Sequence, residues 1–424
     1  MNDIAWTEAA LTSARPQALG ALLRYFRDLD IAEEAFQEAC LRALKSWPVN
    51  GPPRDPAAWL IFVGRNFALD EARRRNKQQP LPPDELISNL DDTEEASVER
   101  LDASHYRDDI LRLLFICCHP DLPATQQIPL ALRIVSGLSV KEIARAFLAS
   151  ESAMEQRITR AKQRIAAAEV PFETPGAAQR GERLTAVASM IYLVFNEGYS
   201  ASGGTVHIRA SLCEEAIRLA RLLLRLFASE PEIMGLAALL LLQHARTPAR
   251  IDANNCIVLL EDQDRGLWNR EMIAEGLALV EKALRHWRPG PYQIQAAIAA
   301  VHASAAKPED TDWTEINQLY AVLEQLQPSP VITLNRAVAV AKVHGPAVAL
   351  ELIEPLAERL AGYFHFFGVK GSLLLQLGRT EEARVAFDRA IALAHTAPEA
   401  AHIRMHLDRL AGMKPEVDAL GPGR

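Results

Sequence analysis

The chain has 424 residues, of which 49% are hydrophobic and 24% are charged, and its formal net charge is −8. This length allows two or three domains with at least one large core, and the composition is that of a soluble globular protein. The negative net charge excludes a protein that coats nucleic acid through its overall charge, so any nucleic-acid affinity must come from local basic patches.

The cysteine usage and the lack of a recognisable signal peptide or membrane-spanning run predict a soluble, cytoplasmic protein. The five cysteines are an odd number without the spacing of a disulfide framework, which fits a reducing compartment. The start of the chain lacks the basic residues and the apolar run of a signal peptide. The longest apolar run, from Met234 to Leu242, is interrupted by Gly235 and is too short to cross a bilayer.

Residues 5–78 predict three helices. Apolar residues recur at helical spacing over 19–26 and again over 31–44, which indicates the first two helices. Prolines predict a loop over 48–56, and the third helix is expected from there to about residue 77. This third helix carries an apolar stripe and ends in a basic cluster, which consists of Arg73, Arg74 and Arg75.

The second of these helices combines apolar anchors with an acidic face. Asp30, followed three residues later by Glu33, predicts a capping box at its start. Glu34, Gln37 and Glu38 extend the polar face. An ordinary solvated face explains this pattern, and so does a docking surface for a basic protein partner.

Residues 79–105 predict a linker. They contain eight acidic residues and a single basic one, Arg100, and they offer too little apolar surface to order themselves. A solvated tether is the simplest interpretation of this composition. The alternative is a mimic of nucleic acid that occupies a basic channel.

Residues 106–169 predict a compact helical domain with a helix-turn-helix. Ser139 followed by Glu142 forms a capping box that opens a short helix, and the turn 148–150 leads into a longer helix, 151–168. The longer helix is expected to bury a stripe that consists of Met154, Ile158, Ala161 and Ile165.

The longer helix has the side chains that a DNA recognition helix needs. Ser152, Glu155 and Gln156 lie near its start, where side chains reach base edges. The cations that follow, for contacts with phosphates, are Arg157, Arg160 and Lys162. A small helical bundle with a solvated basic face would show the same pattern, so the helix by itself leaves both interpretations open.

These segments resemble the two conserved domains of the extracytoplasmic-function (ECF) RNA polymerase sigma factors. Residues 30–39 resemble the family's acidic helix that docks on the polymerase clamp, and 59–75 resemble the segment that melts and reads the −10 promoter element. Residues 122–139 and 142–162 resemble the domain that reads the −35 element. The resemblance covers both domains in the expected order, and it implies core RNA polymerase and promoter DNA as partners.

The resemblance also assigns site residues. Polymerase binding is expected at Asp30, Glu33, Glu34, Gln37 and Glu38. Recognition of the −10 element is expected at Trp59, Arg65, Asn66, Asp70, Arg73, Arg74 and Arg75. Recognition of the −35 element is expected at Ser152, Glu155, Gln156, Arg157, Arg160 and Lys162.

The chemistry of these residues agrees with the resemblance. The arginines of the third helix would neutralise phosphates near the site of opening, and the loop 45–55 follows the family position that captures a flipped base. Asn66 either hydrogen-bonds a base or the backbone, or packs within its helix. One departure is Pro129, which lies within the predicted helix 127–135 and is expected to kink or restart it.

Residues 181–424 predict a large helical domain with repeats. The stretch 345–352 is echoed by 378–387, and the glycines that open them are thirty-three residues apart, close to the tetratricopeptide period. Such helix pairs stack into a concave surface, so a protein partner is expected here. This part resembles the tetratricopeptide-like extension of the ECF42 class of sigma factors, whose markers it matches at 196–199, 212–219 and 259–265.

No convincing catalytic constellation is found, and we expect a protein that is not an enzyme and that needs no cofactor and no metal. Residues 261–265 suggest an acid/base or metal site, but an ion-paired turn explains them better. Cys117, Cys118 and His119 suggest metal ligation. No second cysteine or histidine pair lies at ligand spacing, so buried cysteines at a helix end are preferred.

The sequence therefore predicts an all-α protein, with two small helical sigma domains, the second a helix-turn-helix, and a large helical C-terminal domain. We expect a sigma factor that recruits core RNA polymerase to a narrow set of promoters and is regulated by its fused C-terminal domain. The alternative is a helix-turn-helix regulator that binds DNA without polymerase and senses a ligand or protein through its C-terminal domain. A tetratricopeptide scaffold is a third class, but it leaves the patterns over 66–75 and 139–162 unexplained.

Overall fold

The fold is all-α, as predicted. The structure, a computed structural model, describes residues 2–51, 53–76, 103–119, 121–147, 149–167, 177–199, 210–252, 257–394 and 397–412. Eighteen α-helices and no strand occur within these ranges, where the only β-type pairing is an isolated bridge between Ile251 and Ile257. The chain divides into two compact units, Met1–Leu193 and Val194–Arg424.

Three helices open the first unit: α1 (Asn2–Phe26), α2 (Leu29–Asn50) and α3 (Pro56–Asn76). Each packs on the other two, because all three carry an apolar stripe at helical spacing. Leu22, Phe36 and Leu60, one from each helix, are fully buried at the centre of this core. The three predicted helices are therefore confirmed.

Both ends of α2 differ from the prediction. Asp28, and not Asp30, is the N-cap, since its carboxylate accepts hydrogen bonds from the backbone N–H groups of Asp30 (2.9 Å) and Ile31 (3.0 Å). The predicted loop over 48–56 is wrong for its first three residues, because α2 continues through Pro48 and ends at Asn50. Buried Trp47 anchors this last turn against the ring of Trp59, with 5.3 Å between centroids.

Four further helices follow: α4 (Ala103–Cys117), α5 (Ala124–Ile134), α6 (Val140–Ala146) and α7 (Glu151–Ala167). The capping box is confirmed, because Ser139 Oγ accepts from the Glu142 N–H (3.2 Å) and Glu142 Oε2 accepts from the Ser139 N–H (2.8 Å). The buried stripe of α7 consists of Met154, Ile158, Ala161 and Ile165, as predicted.

Pro129 does not restart its helix. α5 begins at Ala124 rather than at residue 127, so Pro129 lies in the interior of one continuous helix. A proline there removes the hydrogen bond to the carbonyl four residues back, in the first turn of α5, and its ring crowds that carbonyl. The proline is buried with Leu130, Ala131 and Leu132, and this packing holds the helix together around it.

Eleven helices continue the chain. The next two are α8 (Ala177–Tyr199), which begins in the first unit, and α9 (Ala210–Leu226). They are followed by α10 (Pro231–His244), α11 (Arg270–Leu284), α12 (Pro291–Ser304), α13 (Trp313–Leu326) and α14 (Pro330–His344). The last four are α15 (Pro346–Ile353), α16 (Phe364–Gln376), α17 (Thr380–Leu393) and α18 (Ala397–Gly412).

Two helix pairs of the second unit have matching turns. Gly345, between α14 and α15, and Gly378, between α16 and α17, both adopt a positive φ (91° and 71°) that favours glycine. The helices on either side of each glycine pack on each other, and α14 to α18 share one apolar core around Phe366 and Phe387. The tetratricopeptide assignment of these pairs stays a prediction. None of the described helices is long and apolar enough to cross a membrane.

Candidate polymerase and promoter interfaces

The outer face of α7 is open and polar. All three predicted base readers, Ser152, Glu155 and Gln156, are exposed near the start of the helix, since Met154 turns the apolar stripe inward between them. Arg157 and Arg160 are also exposed. A shallow concavity on this face is lined by Ser152, Glu155, Gln156, Thr159, Arg160 and Gln163. This arrangement gives hydrogen-bonding groups at the helix start and cations further along, as groove binding requires.

The predicted −10 residues divide into two groups. Arg65 is exposed and its guanidinium lies 4.4 Å above the ring of Tyr25, whereas Asn66 is half-buried. Trp59 is half-buried against Trp47 and so belongs in part to the core of the first three helices. Four more predicted residues lie on the last turns of α3, and their side chains lie outside the described residues: Asp70, Arg73, Arg74 and Arg75.

The acidic face of α2 is split by burial. Asp30, Glu34 and Gln37 are exposed, and Glu38 is partly exposed beside Arg42, with 3.5 Å between Glu38 Oε1 and Arg42 Nε. Glu33 differs from these, because it is only 5% exposed. The expectation that Glu33 lies on an open docking face is therefore wrong for this arrangement of the chain. Its helical position turns it toward the helices that follow the linker.

Three cations surround the buried carboxylate of Glu33. Lys162 Nζ lies 2.7 Å from Glu33 Oε2 and 2.6 Å from Asp30 Oδ1. The other oxygen of Glu33 lies 3.4 Å from Arg133 Nε and 3.7 Å from Arg15 Nη2. These five residues, Arg15, Asp30, Glu33, Arg133 and Lys162, are called the Glu33 cluster below. The cluster joins α1 and α2 to α5 and α7.

Burial and ion pairing act in opposite directions on the pKa values of Lys162 and Arg15 in the cluster. Burial lowers the pKa of Lys162, but the hydrogen bonds with Asp30 and Glu33 outweigh burial, and its pKa lies above the ordinary value of 10.5. Burial lowers the pKa of Arg15, and the charge of Glu33 opposes that change. Because a guanidinium keeps its proton in proteins, Arg15 and Arg133 stay charged beside the carboxylate of Glu33.

Backbone contacts reinforce this junction. Arg15 donates from Nε to the carbonyl of Ile134 (2.9 Å) and from Nη2 to the carbonyl of Arg133 (3.2 Å), at the end of α5. Gly20 on α1 approaches α4 so closely that a Cβ there would lie 2.7 Å from the backbone oxygen of Asp109. No local sequence pattern predicts the Glu33 cluster, since Arg15 and Lys162 are more than 100 residues from the groups that they contact across it.

The two adjacent cysteines of α4 are buried. Cys117 and Cys118 are both free, and burial raises the pKa of Cys118 to about 12. A thiol in that state is a poor metal ligand, because metals bind the thiolate. Their burial at the end of α4 is as predicted.

The stretch 259–265 builds a turn rather than an acid/base site. Glu261 pairs with Lys342 at 2.8 Å, and Asp264 caps a short 3-10 turn by accepting from the Gly266 N–H (2.8 Å). Arg265 is only 7% exposed. Its Nη1 donates to the carbonyls of His302 (2.7 Å) and Ala305 (2.5 Å) at the end of α12, so the predicted ion-paired turn is right for Glu261 but wrong for Arg265.

The stretch 196–199 contributes to an arginine-rich contact in the second unit. The guanidinium of Arg250 stacks 3.5 Å from the ring centroid of Tyr199 and donates to its carbonyl (2.6 Å). Arg246 donates to the Tyr199 hydroxyl (2.9 Å). Nearby, burial together with the charges of Arg246 and Arg265 lowers the pKa of His302 to about 4.

Three stretches of the chain match known families. Residues 11–78 match Sigma-70 region 2, and residues 112–165 match Sigma-70, region 4. Residues 183–284 match DUF6596, a family of unknown function. The chain is also similar to an uncharacterized protein, R00370, of Rhizobium meliloti (strain 1021), with 70% identity over 411 residues that cover 97% of each protein.

Proposed function

We propose which helices of this chain perform each step of promoter-specific transcription. The premise is that the chain belongs to the ECF-like sigma factors and to the family of the Rhizobium meliloti protein. Core RNA polymerase and promoter DNA are the partners that the two sigma-70 regions imply. In the proposal, α2 docks on the polymerase, α3 melts and reads the −10 element, and α7 reads the −35 element. The C-terminal part, which includes the DUF6596 match, regulates this activity.

The observation that carries the proposal is the geometry of α7. Its apolar stripe is buried, so the helix is fixed to its domain and presents one face. That face is exposed and begins with Ser152, Glu155 and Gln156. A carboxylate accepts from cytosine N4, and a glutamine amide pairs with adenine in the major groove. The cations further along suit phosphates, which position a protein without reading sequence.

A pair of variants tests the assignment of α7. Gln156→Ala is expected to relax the preference at one position of the −35 element, at a cost of about 1–3 kcal/mol for that base pair. Arg160→Ala, on the same exposed face, is expected to weaken transcription from all promoters to a similar degree. Transcription with core polymerase on a library of −35 sequences measures both. If both variants weaken all promoters alike, Gln156 does not read a base.

Support for docking and melting comes from the charge on α2 and α3. Asp30, Glu34 and Gln37 form an exposed face that suits a basic partner. Exposed Arg65 lies at the middle of α3, upstream of the basic cluster at its end, and cations there would hold the phosphates of a melted strand.

We also propose that the C-terminal part takes the place of a separate regulatory protein. It forms a compact unit with its own cores, and its helix pairs resemble the tetratricopeptide-like extension of the ECF42 class. Stacked pairs of this kind offer a surface for a protein partner. A chain that ends at residue 180, before the DUF6596 match begins, is expected to give a different level of transcription from the full chain in a purified system. Equal levels would contradict the regulatory role.

A further inference from the structure

Two arginines converge on one tyrosine in the second unit. Arg246 and Arg250 follow the end of α10, one on either side of a short 3-10 turn. The guanidinium of Arg250 lies over the face of the Tyr199 ring, 3.5 Å from its centroid, and that of Arg246 lies at the Tyr199 hydroxyl. Both arginine side chains are half-buried. Arg246 and Arg250 are called the arginine pair below.

The groups that hold the arginine pair in place are neutral. Arg246 donates to the Tyr199 hydroxyl (2.9 Å) and to the amide oxygen of Gln243, and Arg250 donates to the backbone carbonyl of Tyr199 (2.6 Å). These hydrogen bonds fix the direction of both guanidinium groups but leave their positive charge in place. A guanidinium has five N–H donors, so most donors of the pair are not used by the described residues.

No carboxylate pairs with either arginine among the residues that the structure describes. The next stretches along the chain, 200–209 and 253–256, contain no aspartate or glutamate in the sequence. Burial lowers the pKa of His244 and the charge of exposed Glu214 opposes this, but Glu214 is not among the groups that shift the pKa of Arg250. Other arginines of the same unit do form ion pairs: Arg218 with Glu215, Arg221 with Glu275, and Arg336 with Glu324.

The titratable groups around the arginine pair are positive or neutral. Burial, together with the charges of Arg246 and Arg265, lowers the pKa of His302 to about 4, so this ring is neutral at pH 7. Burial raises the pKa of Cys213 to about 12 against the charge of Arg250, so this thiol is neutral as well. Like charges repel, and half-buried charges are screened less than exposed ones. An anion bound here would relieve that repulsion.

The chemistry of the pair suits a phosphate group. A guanidinium presents its donors as a planar fork that matches the oxygens of a phosphate, and two such forks suit a group with nearly two negative charges at pH 7. The cations that hold a DNA duplex lie on an open face, whereas these two are half-buried, which suits a small molecule. We propose that Arg246 and Arg250 form a binding site for the phosphate group of a small molecule.

The binding step is independent of the proposed sigma function. Both arginines lie within the DUF6596 match, residues 183–284. A ligand here would act in the part of the chain that is proposed to regulate transcription. Only this regulatory consequence rests on the proposed function, and phosphate binding can be measured without polymerase or DNA.

Isothermal titration calorimetry of the full chain with inorganic phosphate tests the site, at an ionic strength held constant with sodium chloride. We expect one phosphate per chain, with a Kd of about 1 mM or tighter. Arg246→Gln and Arg250→Gln should each weaken binding at least about tenfold, because each removes a charged donor. The matched control is Arg221→Gln, which removes an ion-paired arginine of the same unit and should bind phosphate as the wild type does.

Urea unfolding provides a second measurement and shows whether each variant is folded. Phosphate stabilises a protein by binding to its folded state and also by a general exclusion from protein surfaces. The variants keep the general effect, so only the wild type and Arg221→Gln should show the additional rise of the urea midpoint. Equal rises in the wild type and in a folded Arg246→Gln or Arg250→Gln chain overturn the site.

Other probes identify the source of the phosphate group. Glycerol 3-phosphate that binds tighter than inorganic phosphate indicates a phosphate ester, and the reverse order indicates the free ion; either result supports the site. No binding of phosphate by the wild type, as for arginines that only hold Tyr199, overturns the proposal. Citrate that binds where phosphate does not also overturns it. A short DNA duplex that displaces phosphate, and that loses affinity in Arg246→Gln, overturns the small-molecule assignment in favour of DNA.

Discussion

Each unit of this protein buries a charged side chain, and the two are held in different ways. Glu33 in the first unit is held by side-chain cations that come from other helices, across a junction between two small cores. Arg265 in the second unit is held by backbone carbonyls of His302 and Ala305 and by the hydroxyl of Thr311 (3.3 Å). Side chains can exchange partners, whereas the carbonyls at the end of α12 cannot move without the helix.

This difference indicates where the molecule can change shape. The charged side chains around Glu33 can exchange partners, whereas Arg15 in the same junction donates to the carbonyls of Ile134 and Arg133 at the end of α5. A buried guanidinium bound to fixed carbonyls joins its turn permanently to the neighbouring helix.

The largest effect is expected from Arg265→Ala. The substitution leaves the carbonyls of His302 and Ala305 without their donor, and hydrogen bonds to a charged group contribute about 1.5–3 kcal/mol each. We expect the free energy of unfolding of the second unit to fall by about 3 kcal/mol, with faster hydrogen exchange in α12. Arg285→Ala, at an exposed position, should cost less than about 0.5 kcal/mol. Equal effects of the two substitutions would show that the hydrogen bonds of Arg265 to these carbonyls add no stability to the second unit.

An intermediate effect is expected from acid on the second unit. The pKa of His302 is about 4 in the folded chain and about 6.5 in the unfolded chain, so the unfolded state binds the extra proton between these values. The contribution of neutral His302 to the free energy of unfolding is therefore fully present above pH 6.5 and is lost as the pH falls toward 4. The loss is about 2 kcal/mol after allowance for the partial exposure of the ring.

Urea unfolding of the wild type and of His302→Gln at pH 7 and pH 4.5 measures this loss. The glutamine variant has no proton to gain at this position, so its stability should fall less over the same range. A variant that loses as much stability as the wild type would show that another group carries the acid sensitivity.

A smaller effect on unfolding than those of Arg265→Ala and of acid is expected from Lys162→Met. Breaking a buried ion pair in a rigid core usually costs roughly 3–5 kcal/mol, because the remaining charge stays buried. Here Glu33 regains water when the junction opens, so the free energy of unfolding should fall by less than about 1 kcal/mol. A loss near 3 kcal/mol in urea unfolding would show that the junction is a fixed part of one core.

Local patterns in the sequence predicted much of the first unit. The capping box at Ser139 and the buried stripe of α7 depend on residues three or four apart, and both were read correctly. The start of α2 was misplaced because Asp28 and Asp30 are both acceptable caps, and only the helix start at Leu29 decides between them.

The Glu33 cluster could not be read from the sequence in the same way. Lys162 is 129 residues from Glu33, and Arg15 is 119 residues from the carbonyl that it reaches. A glutamate next to a second glutamate on an amphipathic helix looks like any solvated acid. Its burial follows only once α5 and α7 are placed against α1 and α2. Arg265 posed a similar problem, since its carbonyl partners lie on a helix that begins 26 residues later.

The most direct test of the sigma function is transcription from a promoter library with the purified chain and core RNA polymerase. Initiation is expected only when both are present, from start sites that share paired −10 and −35 sequences. Specific DNA binding at a palindromic site without polymerase, and no polymerase-dependent initiation, would contradict it and favour a helix-turn-helix regulator instead.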